Sequence, residues 1–226
     1  MKLKAEKICK KFNRKTSGAS YFYAVNETDF ELAESSLTAV YGRSGGGKTT
    51  FLNMLGGLLE PSGGRVLIDG KDIYSMPDKE LSKFRNKNIG IIPQGSTALP
   101  TLTVLENVLL PRLMYGKSDE SARKYAVELL EKVGIAGLSQ AMPNELSGGE
   151  LRRMAIARAL MNKPSVLLAD EPTGDLDDEN TALVLSLLRD TAKDGTSVLI
   201  VTHEGEAENY ADIVLKMDSG ILKNKE

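Results

Sequence analysis

Five short stretches carry residues whose types and spacing could do chemistry. The first, GRSGGGKTT (residues 42–50), has the composition of a loop that wraps phosphate. Gly42, Arg43, Ser44, Gly45, Gly46 and Gly47 would turn successive backbone N–H groups inward, and the helix expected from Lys48 onward would add the partial positive charge of its N-terminus. Lys48 is spaced to reach the β- and γ-phosphates, the Thr49 hydroxyl to ligate Mg²⁺, and Thr50 continues the helix. The second, SVLLADEP (165–172), ends an apolar run on two carboxylates: Asp170 for the Mg²⁺ shell, and Glu171, directed to the opposite side by strand alternation, for polarising an attacking water. Gln94 and His203, the single histidine, end the apolar runs NIGIIPQ and SVLIVTH in the same way, where a polar group could hold water or sense a γ-phosphate. The fifth is LSGGELRRMAIARAL (146–160): Ser147 reads as an N-cap, Gly148 and Gly149 as a first turn, and Glu150 adds charge there. It is a second anion-binding helix start, but it lacks a Lys-Thr pair and a preceding buried strand, so it would be half of a site.

The elements that must position these groups are legible in the hydrophobic pattern. SLTAVYG, NIGIIPQ, SVLLADE and TSVLIVTH are continuous apolar runs bounded by glycine or acidic residues, which predicts buried strands of a parallel sheet covered on both faces, and hence an α/β core. The first 35 residues, 65–73 and 212–223 read as shorter strands with a DSG turn, a flanking antiparallel sheet. No buried strand is expected between about 95 and 163. Within it, 119–134 places Ala122, Ala126, Leu129, Leu130 and Val133 at helical spacing, so the stretch reads as a helical insertion. The 226 residues suffice for a sizeable core, and 29 basic against 31 acidic residues give no overall field suited to nucleic acid. One cysteine, Cys9, can form no internal disulfide, which suits a reducing compartment, and no apolar run approaches a membrane span. A cytoplasmic location follows as the expectation, with any link to a membrane made through a partner.

Taken in order, GRSGGGKTT, Gln94, LSGGE, VLLADEP, TGDLD (173–177) and VTHE (201–204) resemble the ATPase subunit of ABC transporters over essentially the whole chain. LTVLENVLLP (102–111) and PTGDLD make the resemblance nearest to the lipoprotein-releasing and macrolide-export type. The resemblance implies a P-loop NTPase (RecA-like) parallel-sheet core, an antiparallel β subdomain and an inserted helical signature subdomain, all in one domain spanning 1–226. It implies ATP and Mg²⁺ as ligands. Phe12 would stack on adenine, with Tyr21 or Tyr23 as the alternative. Thr49, Gln94 and Asp170 would surround Mg²⁺, Glu171 would be the general base, and His203 would contact the γ-phosphate. Ser147, Gly148, Gly149 and Glu150, with Asp177 closing the following loop, would complete the site of a second ATPase subunit, two ATP molecules being held between two copies. A membrane permease would receive the stroke through a groove formed by the exposed part of residues 99–116, with the protein peripheral on the inner face of the cell membrane; no nucleic-acid partner is expected. Two other classes fit less well. An ABC-type ATPase acting on DNA or ribosomes should carry a long coiled coil or tandem cassettes, and a small-molecule P-loop kinase should lack Ser147-Gly148-Gly149.

Overall fold

The computed structural model describes residues 2–13, 21–116 and 120–224; positions 14–20 of the expected antiparallel region and Asp119 of the expected helix lie outside them. The chain opens with β1 (Leu3–Asn13) and β2 (Tyr21–Leu32), then β3 (Leu37–Tyr41) feeds a loop and helix α1 (Lys48–Leu55). Next come β4 (Gly63–Ile68), β5 (Lys71–Asp72), α2 (Asp78–Asn88) and β6 (Ile89–Ile92). Helices α3 (Val104–Tyr115), α4 (Glu120–Lys132) and α5 (Gly148–Leu160) precede β7 (Val166–Asp170), α6 (Asp178–Lys193) and β8 (Ser197–Thr202). The hairpin β9 (Ile213–Asp218) and β10 (Ile221–Asn224) follows.

Strands β9, β3, β8, β7 and β6 run parallel in a six-stranded sheet of order β10-β9-β3-β8-β7-β6. Strands β3, β8, β7 and β6 are nearly all buried and mostly apolar because both faces are covered, whereas β9 and β10 at the other edge carry charged, exposed residues. Leu37, Leu167, Ala169, Val198 and Ile200 point into a core shared with α3, α4, α5 and α6. Their neighbours Val40, Val166, Leu168, Leu199 and Val201 point into a second core with α1 and the four-stranded antiparallel sheet β2-β1-β4-β5. This is the RecA-like P-loop fold with an antiparallel subdomain and a helical insertion between β6 and β7. Within the insertion α4 buries Ala122, Ala126, Leu129 and Leu130 along one face, as its spacing dictates.

The C-terminal hairpin departs from expectation. Residues 212–223 do not join the antiparallel sheet: β9 pairs in parallel with β3 and extends the main sheet, while β10 pairs antiparallel with β9. The DSG turn is real, with Ser219 at φ 51 and Gly220 at φ 77, the two positive values that a two-residue hairpin of this hand requires. A turn fixes only its own two strands. Which sheet they join was decided by long-range packing, since β9 carries Leu215 and Met217 into the core beneath α1.

Candidate functional site

Because the sheet is parallel, β3, β6, β7 and β8 bring the residues after their C-terminal ends to one edge. The loop after β3 is tightly seated there. Gly47 caps α1 at φ 100, and a Cβ on it would lie 2.2 Å from the Ala24 carbonyl oxygen of β2. Gly42 donates to Thr202 O at 3.1 Å, and Gly220 of the hairpin turn donates to Gly46 O at 3.0 Å. Arg43, Ser44 and Gly45 are exposed, and Thr49 and Thr50 lie in the first turn of α1. Lys48 is buried and its Nζ curls back over the loop, donating to Gly42 O at 2.8 Å and Arg43 O at 3.2 Å.

Lys48 also pairs with Glu171 Oε1 at 3.3 Å, both side chains being nearly closed to solvent. Glu171 does not follow the strand alternation expected of it. Glu171 is past the strand, at φ 46 with its N–H donated to Val201 O at 2.8 Å, so it turns into the same crevice as Asp170 rather than away from it. Its Oε2 is 2.9 Å from His203 Nδ1 and accepts from His203 N at 3.2 Å. Burial pushes the Glu171 carboxyl up, but hydrogen bonds from the His203 ring, Thr202 and the His203 backbone, with the Lys48 charge, outweigh it and hold the group below its ordinary value. Asp170 goes the other way: burial raises it against a hydrogen bond from Thr49, and the Glu171 charge adds to the rise. Its buried Oδ1 has no hydrogen-bond partner. An orphaned carboxylate oxygen beside a threonine hydroxyl suits a hard divalent cation, which would satisfy the oxygen and offset its desolvation. Among the described residues no group of three or more His, Cys, Asp or Glu could hold a metal unaided, so such a cation would need oxygens from a bound phosphate or water.

The second glycine-rich stretch forms a separate assembly. Ser147 caps α5: its hydroxyl accepts from Glu150 N at 3.3 Å, and Glu150 Oε2 takes the Ser147 N–H at 2.7 Å and its hydroxyl at 2.8 Å. Sequence reading saw Glu150 as added charge; the structure makes it the returning half of a capping box. Ser147 and Gly148 are exposed and Gly149 is buried. Asp177 caps α6, accepting from Asn180 N at 2.8 Å. Among the described residues no hydrogen bond or ion pair joins Ser147, Gly148, Glu150 or Asp177 to Lys48, Asp170 or Glu171 of the same chain.

Gln94 is exposed two positions beyond β6, and no hydrogen bond ties it to Thr49 or Asp170 among the described residues. Phe12 is exposed on β1 with its ring 6.0 Å from Phe22, its cross-strand partner. Tyr21 and Tyr23 stand 6.0 Å apart and flank Lys11, whose Nζ lies 5.3 and 5.0 Å from their rings. Three groups escaped the sequence reading. Buried Asn107 donates to the carbonyls of Leu99, Leu102 and Thr103 and accepts from Leu99 N at 2.8 Å, pinning the segment that follows Gln94. Arg158 of α5 holds Thr97 in that same segment. Arg152 is buried, donates to Pro93 O at 3.2 Å and lies in the fields of Asp175, Asp170 and Glu204. Their signal was faint, since asparagine or arginine in a helix with polar neighbours normally reads as solvated surface.

The family described as "ABC transporter" matches residues 25–174. The ATP-binding protein LolD of the lipoprotein-releasing system of Bacteroides thetaiotaomicron is 43% identical over 198 residues, 86% of this chain and 90% of the relative. The LolD of Buchnera aphidicola is 36% identical over 220 residues, 96% of both. The macrolide export ATP-binding/permease protein MacB of Rhodopirellula baltica is 44% identical over 187 residues, 81% of this chain but 27% of that longer protein. Among solved structures, the dimeric bacterial ABC transporter cassette MJ0796 superimposes with a TM-score of 0.89 at 33% identity, covering 98% of both chains. A dimeric post-hydrolysis state of the same cassette, bound to ADP and Pi, gives 0.88.

Proposed function

The chain belongs to the ABC transporter family as an ATP-binding and ATP-hydrolysing subunit, and from that premise we propose how its residues divide the work. One copy grips the triphosphate with residues 42–50, Lys48 leaving Glu171 for the β- and γ-phosphates, while an aromatic of the β1–β2 ribbon, Phe12 first, stacks on adenine. Thr49, Asp170 and Gln94 hold Mg²⁺, which when bound neutralises phosphate charge as the terminal bond breaks. Glu171, oriented by His203, takes a proton from the water that attacks the γ-phosphorus, and ADP leaves with the electrons of the broken bond. Before that cleavage the His203 ring turns toward the γ-phosphate, while its backbone N–H stays on Glu171 Oε2.

The other copy supplies Ser147, Gly148, Gly149, Glu150 and Asp177. The observation that carries this reading is the separation within one chain: the Lys48–Glu171 centre is buried and joined, whereas the Ser147 helix start is exposed and unconnected to it. Two equal copies satisfy both halves, and the relatives named for dimeric cassettes support that arrangement. ATP-bound closure then moves a membrane permease seated at the groove of Arg85, Ile91, Pro111, Met114 and Arg158, about 230 Å³ in volume. The LolD and MacB likenesses favour such a partner, and no helix among the described residues is long and apolar enough to cross a membrane itself. We propose further that the whole chain works as one ATPase unit, with about 95–163 as its helical insertion.

The test is phosphate release from Mg-ATP at rising protein concentration. The initial rate should climb with the square of the concentration until the dimer saturates. A rate first-order in protein at every concentration overturns the two-copy site, and transfer of the phosphate to an acceptor other than water overturns the hydrolase.

A further inference from the structure

We propose that Asn180 is a positioning residue that locks the Ser147 helix start to the loop ending at Asp177, and that residue 149 is glycine because Asn180 fills the space of its side chain. The proposal rests on the two-copy reading above, which needs both elements presented together to a neighbouring nucleotide.

Asn180 sits in the first turn of α6 and faces α5. Its Nδ2 donates to both Asp177 carboxylate oxygens, at 2.9 and 3.1 Å, and its backbone N–H adds a third bond to Oδ1 at 2.8 Å. Its own Oδ1 accepts from Arg153 Nη1 of α5 at 2.7 Å. One side chain therefore ties the cap of one helix to the second turn of another. The buried Nε of Arg153 finds no partner, so among the described residues the guanidinium is anchored through Asn180. The packing is equally specific. A Cβ on Gly149 would lie 2.4 Å from Asn180 Oδ1, 2.7 Å from Cγ and 3.2 Å from Nδ2, all of them atoms beyond the Asn180 Cβ. That Cβ points into α6 of its own chain, away from the exposed Ser147 and Gly148. Gly148 contrasts with it, meeting only Leu176 at 4.0 Å. Room for a nucleotide is thus not what a methyl group at 149 would consume; room for Asn180 is.

The experiment is a double-mutant cycle in the whole chain, reading kcat and KM for Mg-ATP together with the affinity of the monomer for Mg-ADP. Asn180→Ala should lower kcat about tenfold or more and leave Mg-ADP affinity within about twofold, because the phosphate loop lies elsewhere. Gly149→Ala alone should lower kcat about a hundredfold, yet cost under about threefold in the Asn180→Ala background, where all three obstructing atoms are gone. If Gly149→Ala folds but is too unstable for kinetics, the melting temperatures of the two backgrounds give the same cycle, with the loss expected only where Asn180 is present; a Gly149→Ala chain that stays unfolded even in the Asn180→Ala background overturns the proposal. Native kcat in Asn180→Ala, or an equal penalty for Gly149→Ala in both backgrounds, overturns the proposal. Failure of the underlying two-copy reading shows instead as a native rate first-order in protein, a separate measurement.

Discussion

Replacing Glu171 with Gln should tighten the grip on nucleotide as well as stop hydrolysis. Lys48 is paired with the Glu171 carboxylate at 3.3 Å, and it must leave that partner to reach phosphate. At this separation and an effective dielectric of about 20, the attraction is about 5 kcal/mol. Much of that is offset by the cost of keeping both groups from water, and Lys48 retains its carbonyl acceptors on Gly42 and Arg43. A net competition of about 1–2 kcal/mol is left, which corresponds to a gain of about five- to thirtyfold in affinity. Titration calorimetry with Mg-ADP measures it without turnover. The same variant, free of nucleotide, has a buried ammonium without its counter-charge and should lose about 2 kcal/mol, or roughly 4–8 °C of melting temperature. Unchanged or weaker ADP binding with an unchanged melting temperature would refute the competition, and hydrolysis at the native rate would remove Glu171 as the base.

Two substitutions and a titration test the rest of the site. Gly47→Ala combines a φ of 100 with a Cβ at 2.2 Å from Ala24 O, so it should cost about 3 kcal/mol or more and abolish ADP binding. Gly45→Ala, at φ 77 in open space, should cost only about 1–2 kcal/mol, and equal losses in thermal melts would sink the steric argument. Glu150 is held below its ordinary value first by the Ser147 N–H and then by the Ser147 hydroxyl. A depressed carboxylate contributes stability that is full above the ordinary range and is lost as the pH falls through its folded value. The melting-temperature gap between the native chain and Glu150→Ala should therefore be greatest near neutrality, at most about 1 kcal/mol for so exposed a cap, and should close on acidification. A gap that widens with acid refutes the box as the source of stability.

Most of the architecture and the identities of the polar groups at the sheet edge were readable because both depend on local rules. Four buried strands announced themselves as apolar runs, and α4 by its spacing. What escaped depends on long-range packing or on a local backbone turn that the hydrophobic pattern does not encode. The DSG turn gave the hairpin but not its attachment to β3, and strand alternation misdirected Glu171 because the chain leaves the strand at φ 46. Arg152 and Asn180 act through part-buried contacts with other elements and Asn107 through the carbonyls of the turn before its helix, and a single polar letter in a helix carries no trace of either. Residues that bind substrate come as motifs with a spacing. Residues that hold those motifs in register do not.

The bracing of the phosphate loop by the Ser219–Gly220 turn has a temporal consequence. Asn26 of β2 reaches Ser219 O across 193 positions of sequence, and Gly220 closes onto Gly46 from the same side. On the ribosome the loop emerges well before the Ser219–Gly220 turn that seats it. A growing chain can therefore form its early strands and helices while its nucleotide cradle is still open on one flank, and the grip on ATP matures only when the β9–β10 hairpin docks.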